Sequence, residues 1–267
     1  TWRKMGKAAV GLFLLTGRAV MNKVRMFVLS VVCLLTTSAS PALAAAIMSF
    51  SFGSSLTDTE FAGAPGARIC NWNVIDASNL TLNGVKDYAG VTHSDVTVAF
   101  TLGDGSVTAF QTGGGANDRH MFSGYRDLFD GAPATITVTN IPYDTYDVYF
   151  YMHADQDGPN RTGAFTVDGA TQYMRSLQRP LSDPTDDTGY YLSTDTTQTT
   201  AAGTTEGNYV VFRGLTGATL SASLTAGLSD SELRNKAAGF QIVGSPAPTI
   251  VETNTQGSDL YTVSSTD

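Results

Sequence analysis

The chain has 267 residues, with 16 basic against 24 acidic side chains and a net charge of −8. Only 15% of residues are charged, while 27 are Gly, which is unlike a helical bundle or coiled coil. The acidic balance excludes a phosphate-binding footprint and hence a nucleic-acid partner, and two Cys exclude a zinc finger or a disulfide scaffold.

Residues 1–20 are expected to be non-native upstream sequence, with a second apolar patch from Ala8 to Leu15. Residues 21–44 read as a secretory signal peptide. Lys23 and Arg25 form the basic start, Met26 to Leu35 the apolar stretch, and Pro41-Ala42-Leu43-Ala44 the small-x-small cleavage pattern. The alternative, a membrane anchor, is opposed by length, because about 20 apolar residues are needed to span a bilayer. Cleavage after Ala44 removes six of the 16 basic residues and none of the 24 acidic ones. The expected product is strongly acidic, secreted or held at the cell surface, and without an integral membrane span. Cys70 is its only cysteine and, flanked by Ile69 and Trp72, is expected to be buried.

From Ile47 onward the hydrophobic period is two, not 3.6. Strands are predicted at Ile47 to Phe52, Val96 to Thr101, Ala134 to Ile141, Tyr146 to Met152 and Gly163 to Val167. Further strands follow at Thr171 to Met174, Asn208 to Phe212, Thr219 to Leu224 and Gly239 to Val243. Asn83-Gly84, Asp104-Gly105, Asp168-Gly169 and Gly214 to Gly217 supply turn chemistry. In Tyr146 to Met152 the side chains Asp147, Tyr149 and Tyr151 alternate with Val148, Phe150 and Met152, which predicts one solvated face. Nine or ten short strands without a long helix predict an all-β domain over residues 45–245, an antiparallel β-sandwich of jelly-roll type. Residues 246–267 read as a linker or disordered tail.

Phe50-Ser51-Phe52-Gly53, Asn71-Trp72-Asn73, Met121-Phe122-Ser123-Gly124-Tyr125 and Tyr146 to Tyr151 form an ordered set with Gly207 to Phe212 and Ala238 to Val243. Together they resemble secreted β-sandwich domains of environmental bacteria, similar to galactose-binding-like carbohydrate-binding modules. The resemblance covers about residues 47–244 and implies the sandwich fold, export and association with polysaccharide.

Four features carry candidate chemistry. The turn Asp155-Gln156-Asp157-Gly158-Pro159-Asn160 places Asp155, Asp157 and Asn160 where hard oxygen ligands suit Ca²⁺, or makes an ordinary acidic hairpin turn. Asn117-Asp118-Arg119-His120 puts an acid, a base and a permanent cation in one expected loop. There Asp118 and His120, with His153 at the end of the Tyr-rich strand, are candidates for acid–base work. The same set can hydrogen-bond sugar hydroxyls while Tyr125, Tyr151 or Trp72 stacks on a sugar face, or it can be a solvated loop. Tyr190 and Tyr191 are expected to be solvent-accessible. No G-x-S-x-G is present and no organic cofactor is expected. The leading expectation is a non-catalytic module for neutral polysaccharide, calcium-stabilised. The alternative is a small secreted hydrolase acting on a polysaccharide, ester or lactone.

Overall fold

The computed structural model describes residues 47–53, 56–103, 110–111, 117–129, 133–153, 161–176, 189–228, 234–244, 249–252 and 261–264. In chain order the elements are β1 (Ile47–Phe52), β2 (Asn73–Ile75), β3 (Thr81–Lys86), β4 (Thr92–Thr101), β5 (Phe110–Gln111), α1 (Asn117–Ser123), β6 (Tyr125–Phe129) and β7 (Ala134–Thr139). They continue with β8 (Thr145–Met152), β9 (Thr162–Val167), β10 (Ala170–Ser176), β11 (Glu206–Gly207), β12 (Tyr209–Thr216), β13 (Thr219–Ala226) and β14 (Arg234–Gly244). β15 (Thr249–Glu252) and β16 (Tyr261–Ser264) pair with each other, within the segment read as a tail.

Two seven-stranded sheets pack face to face as an all-β sandwich. The first runs β12-β8-β14-β1-β2, with β6 also on β14 and β5 on β6. The second runs β11-β10-β9-β13-β7-β4-β3. Both are antiparallel except for β1 beside β2 and β10 beside β11, which are parallel. Strand propensity explains the choice of element, since Val, Thr, Tyr and Phe fit a pleated surface better than a helix.

The main core lies between the sheets. Phe52 of the first sheet meets Phe100 of the second at 5.1 Å between centroids, and Phe150 stacks on Phe165 at 5.5 Å. Phe50 and Phe240 stack at 4.4 Å within the first sheet. Each such side chain contributes roughly 1.5–3 kcal/mol by leaving water.

The second sheet alternates on its interior strand β7 and less regularly on β9 and β10. There Thr162 and Gly163 are both buried, and Ala170 to Tyr173 are all partly or fully exposed. β7 alternates buried and half-buried residues throughout, as expected for one solvated face. The first sheet departs from the prediction. In β8 every residue from Val148 to Met152 is buried, because a second apolar cluster covers the outer face. That cluster joins Tyr149, Tyr151 and Val211 of the sheet to Ala62, Ala64, Ile69 and Trp72 of the β1–β2 connection, and to Met121 and Phe122 of α1.

Other local differences have plain causes. Asn83-Gly84 is not a turn but lies inside β3, where Gly84 takes a φ of +83° at a register shift against β4. Asp168-Gly169 is the expected tight turn, both residues having positive φ. Residues 117–123, expected as loop, form one short helix whose Met121 and Phe122 need the apolar sheet face beneath them. Cys70 is half-buried, its thiol facing the Tyr88 carbonyl at 3.9 Å.

Candidate functional site

Of the residues singled out from the sequence, Asp118, His120, Tyr151 and Trp72 meet on the outer face of the first sheet, around α1. The connection 56–72 closes over that face because it is rich in small and turn-forming residues: Ala62-Gly63-Ala64-Pro65-Gly66-Ala67. Gly63 takes a φ of +122°, and a β-carbon there would lie 2.8 Å from the Ala67 carbonyl, so only glycine fits the bend. The bent loop then presents its amides to the sheet.

Those amides find side chains. The Gly63 N–H donates to Asp118 Oδ1 at 3.0 Å and to the Tyr190 hydroxyl at 3.0 Å. The Ala64 N–H donates to the Tyr151 hydroxyl at 3.0 Å. Tyr190 donates to Asp118, and Tyr151 donates to the Gln241 carbonyl oxygen. The Gln241 amide nitrogen in turn reaches Ser49 Oγ at 2.8 Å and the Ala67 carbonyl at 2.7 Å. Arg68 closes the network, with Nη1 2.5 Å from Asp118 Oδ2.

Burial sets the electrostatics of this network. It pushes the Asp118 carboxyl above the usual range, opposed by the Arg68 charge, the Tyr190 hydroxyl and the Gly63 amide. It holds the Tyr151 and Tyr190 phenols well above theirs, so both stay neutral donors and acceptors.

Beside it lies a second pair. His120 Nδ1 is 3.0 Å from Glu60 Oε1 and 3.2 Å from Oε2. Glu60 is itself held by the Thr57 N–H at 2.7 Å. A carboxylate on Nδ1 fixes the tautomer of the ring, with the proton on Nδ1.

Of the remaining predicted residues, Trp72 is buried, donating from Nε1 to the Ile69 carbonyl at 3.0 Å and meeting Tyr151 edge-on at 6.3 Å. His153 lies just past β8 with its ring 5.9 Å from Phe122. Tyr125 lies on β6 under the Lys236 ammonium, 3.9 Å from the ring centre. Asn117 and Arg119 belong to α1, and their side chains are outside the described residues. The turn with Asp155, Asp157 and Asn160 is likewise outside them, and among the described residues no group of three His, Cys, Asp or Glu could hold a metal ion. Tyr190, expected in the open, has its hydroxyl locked between Gly63 and Asp118, while Tyr191 is 38% exposed.

Sequence reading missed Arg68, Glu60 and Gln241, the partners that make the cluster. Only the turn-rich run before Arg68 signals a loop able to fold back over a sheet.

On β12, Val211 is buried in the covered cluster, while Tyr209 packs against it and is half-buried. There Tyr209 stacks on Tyr149 at 6.3 Å with 13° between the rings. Leu192, 39% exposed, is the bridge partner of Tyr209. Arg213 pairs with Asp147 at 2.8 Å while its side chain remains 62% exposed. Tyr149 is buried, and Tyr209 also meets Tyr151 at 6.3 Å and Tyr190 at 6.0 Å. What remains accessible is the half-buried Tyr209 beside the exposed Arg213, a narrow ledge ending in an ion pair.

Compared with family models, curated proteins and solved structures, the chain matches none. No helix among the described residues is long and apolar enough to cross a membrane.

Proposed function

We propose that this domain is an exported, non-catalytic binding module for neutral polysaccharide, and that the ledge of Tyr209, Tyr149, Arg213 and Asp147 is where a sugar docks. The partly accessible Tyr209, backed by the buried Tyr149 and standing beside the exposed Arg213, carries the reading. The accessible part of an aromatic ring takes the apolar C–H side of a pyranose, while the exposed guanidinium, held in place by Asp147, donates to its hydroxyls. The net charge of −8 disfavours anionic polymers by repulsion. The likeness of the chain's ordered motifs to galactose-binding-like modules points the same way.

The state of Asp118 supports binding over catalysis. Oδ1 is taken by Gly63 and Tyr190 and Oδ2 by Arg68, so the carboxylate is committed to the fold and not to proton transfer.

The test is isothermal titration of the protein against neutral oligosaccharides, with and without EDTA. Tyr209→Ala and Arg213→Ala are each expected to weaken binding about tenfold, equivalent to about 1.4 kcal/mol. Unchanged affinity in both variants overturns the ledge. A thermal midpoint lowered by EDTA and restored by Ca²⁺ supports the calcium-stabilised form of the reading.

One observation favours the hydrolase reading: Glu60 orients His120 as a carboxylate orients a general base. On that reading, turnover of aryl ester and aryl glycoside substrates disappears in His120→Ala and falls in Glu60→Gln. Wild-type protein without turnover on either substrate class removes it.

A further inference from the structure

The outer face of the second sheet carries an ordered array of hydroxyls. Register places Thr101 opposite Thr135, Thr135 opposite Ser223, Ser223 opposite Thr166 and Thr166 opposite Thr171. One Ser or Thr thus stands on each of five adjacent strands, β4, β7, β13, β9 and β10. Two shorter rows run parallel to it, one of Asn83, Thr97, Thr139 and Thr219, the other of Thr81, Ala99, Thr137 and Ser221 and interrupted by Ala99. The side chains alternating with them, such as Val98, Ile136, Leu220 and Phe165, fill the core, so every hydroxyl in the rows faces outward.

Three properties separate this face from an ordinary solvated sheet. The rows contain no Asp, Glu, Lys or Arg, although surfaces commonly carry about a quarter to a third charged residues; charged side chains in phase with them, such as Asp95 on β4 and Arg175 on β10, lie outside the rows. Neighbouring hydroxyls are already oriented by one another, Thr101 with Thr135 at 2.6 Å and Thr166 with Thr171 at 2.9 Å. Each such pair still has one donor proton and further acceptor lone pairs to offer. The spacing is regular, about 4.8 Å between strands and about 6.8 Å along them.

Uncharged hydroxyls at regular spacing, set among threonine methyls, match a polymer that is itself uncharged and presents hydroxyls and C–H groups in alternation. The sheet also twists by roughly 20–25° per strand, so a rigid crystal face would touch only part of it, whereas a single flexible chain can follow the rows. We propose that this face is a second binding surface, which takes one extended neutral polysaccharide chain lying across the strands. The proposal rests on the reading of the protein as a neutral-glycan binder, and adds a surface on the sheet opposite to the ledge.

The test uses the full chain in native gels containing soluble mixed-linkage β-glucan or galactan, beside titration with tetrasaccharides of the same polymers. The hydroxyl-deleting triple variant Thr135→Val, Thr137→Val, Ser223→Ala keeps strand propensity. Ser221→Lys, at an exposed position, adds a charge without removing core. Both are expected to lose at least about fivefold in polymer retention while tetrasaccharide affinity changes less than about twofold. Tyr209→Ala is expected to lose tetrasaccharide affinity instead. Polymer retention that survives both array variants overturns this proposal alone. Wild-type protein that binds neither polymer nor tetrasaccharide overturns it together with the glycan reading. A wild-type dimer in light scattering that the array variants dissolve assigns the face to a second copy of the chain, and overturns it too.

Discussion

Arg68 and Asp118, fifty residues apart, form an ion pair 2.5 Å long whose side chains are only 9% and 8% exposed. The pair ties the covering connection to α1, and the Asp118 carboxylate also receives Gly63 and Tyr190. Removing one partner leaves a buried charge, so Arg68→Ala or Asp118→Ala is expected to cost roughly 3–5 kcal/mol in urea unfolding. The double variant Arg68→Ala, Asp118→Ala is expected to cost clearly less than the two single losses together. Additive losses would mean that the two groups act independently.

Tyr151 is the second anchor. Its hydroxyl accepts from the Ala64 N–H at 3.0 Å and donates to Gln241. Tyr151→Phe keeps the ring packed against Trp72 and Phe122 but strands two buried polar groups, at about 1–3 kcal/mol. Amide exchange at Ala64 is expected to rise with it, while exchange in the second sheet changes only by the global loss. Unchanged protection at Ala64 would show that the loop is held by packing alone.

The two sheets were not equally legible. The strand expected at Ala134 to Ile141 is found at Ala134–Thr139, and it was legible because its outer face meets water, so chemistry and geometry alternate together. Tyr146 to Met152 alternates just as clearly, but its polar-looking side, Tyr149 and Tyr151, is buried beneath a segment some ninety residues earlier. Tyrosine suits either fate, since its ring is apolar and its hydroxyl needs only one partner. Asp118, His120, Tyr151 and Trp72 were recognisable as candidates by residue type. Their partners Arg68, Glu60 and Gln241 were not, because each contact spans fifty to ninety residues and nothing local announces it. The helix at 117–123 is too short for a 3.6-residue period to show.

At the 76–79 turn, Asp76 Oδ1 accepts from the Ser78 hydroxyl at 2.6 Å, the Ser78 N–H at 2.8 Å and the Asn79 N–H at 2.9 Å. The Ser78 hydroxyl, more than these amides, holds the carboxyl below its ordinary value of 3.8, against a smaller opposing effect of burial. A carboxylate with a lowered folded pKa adds stability above its unfolded value, and that stability is lost as pH falls through the folded one. Asp76→Ala is therefore expected to be less stable than wild type at neutral pH, by under about 1 kcal/mol because the turn is solvent-screened. The two are expected to converge at pH values well below 3.8. A gap that persists in acid would assign the effect to turn geometry and not to charge.

Gly239 lies in β14, where β8 and β1 flank it on either side, next to the register shift after Ala237. A β-carbon there would stand 2.3 Å from the Phe50 carbonyl oxygen and 3.2 Å from the Ser51 α-carbon. Both are backbone atoms of the neighbouring strand and cannot swing aside, so the sheet itself must open. Gly239→Ala is expected to cost about 3 kcal/mol, at the upper end of overpacking. Gly217 supplies the contrast. It has a φ of +94° with nothing within 4 Å of a β-carbon, so Gly217→Ala carries only backbone strain, about 1 kcal/mol. Urea midpoints of the two variants separate steric from conformational cost. A Gly239→Ala protein as stable as Gly217→Ala would mean that β1 and β14 can part without loss, and that the ladder between them contributes little to the fold.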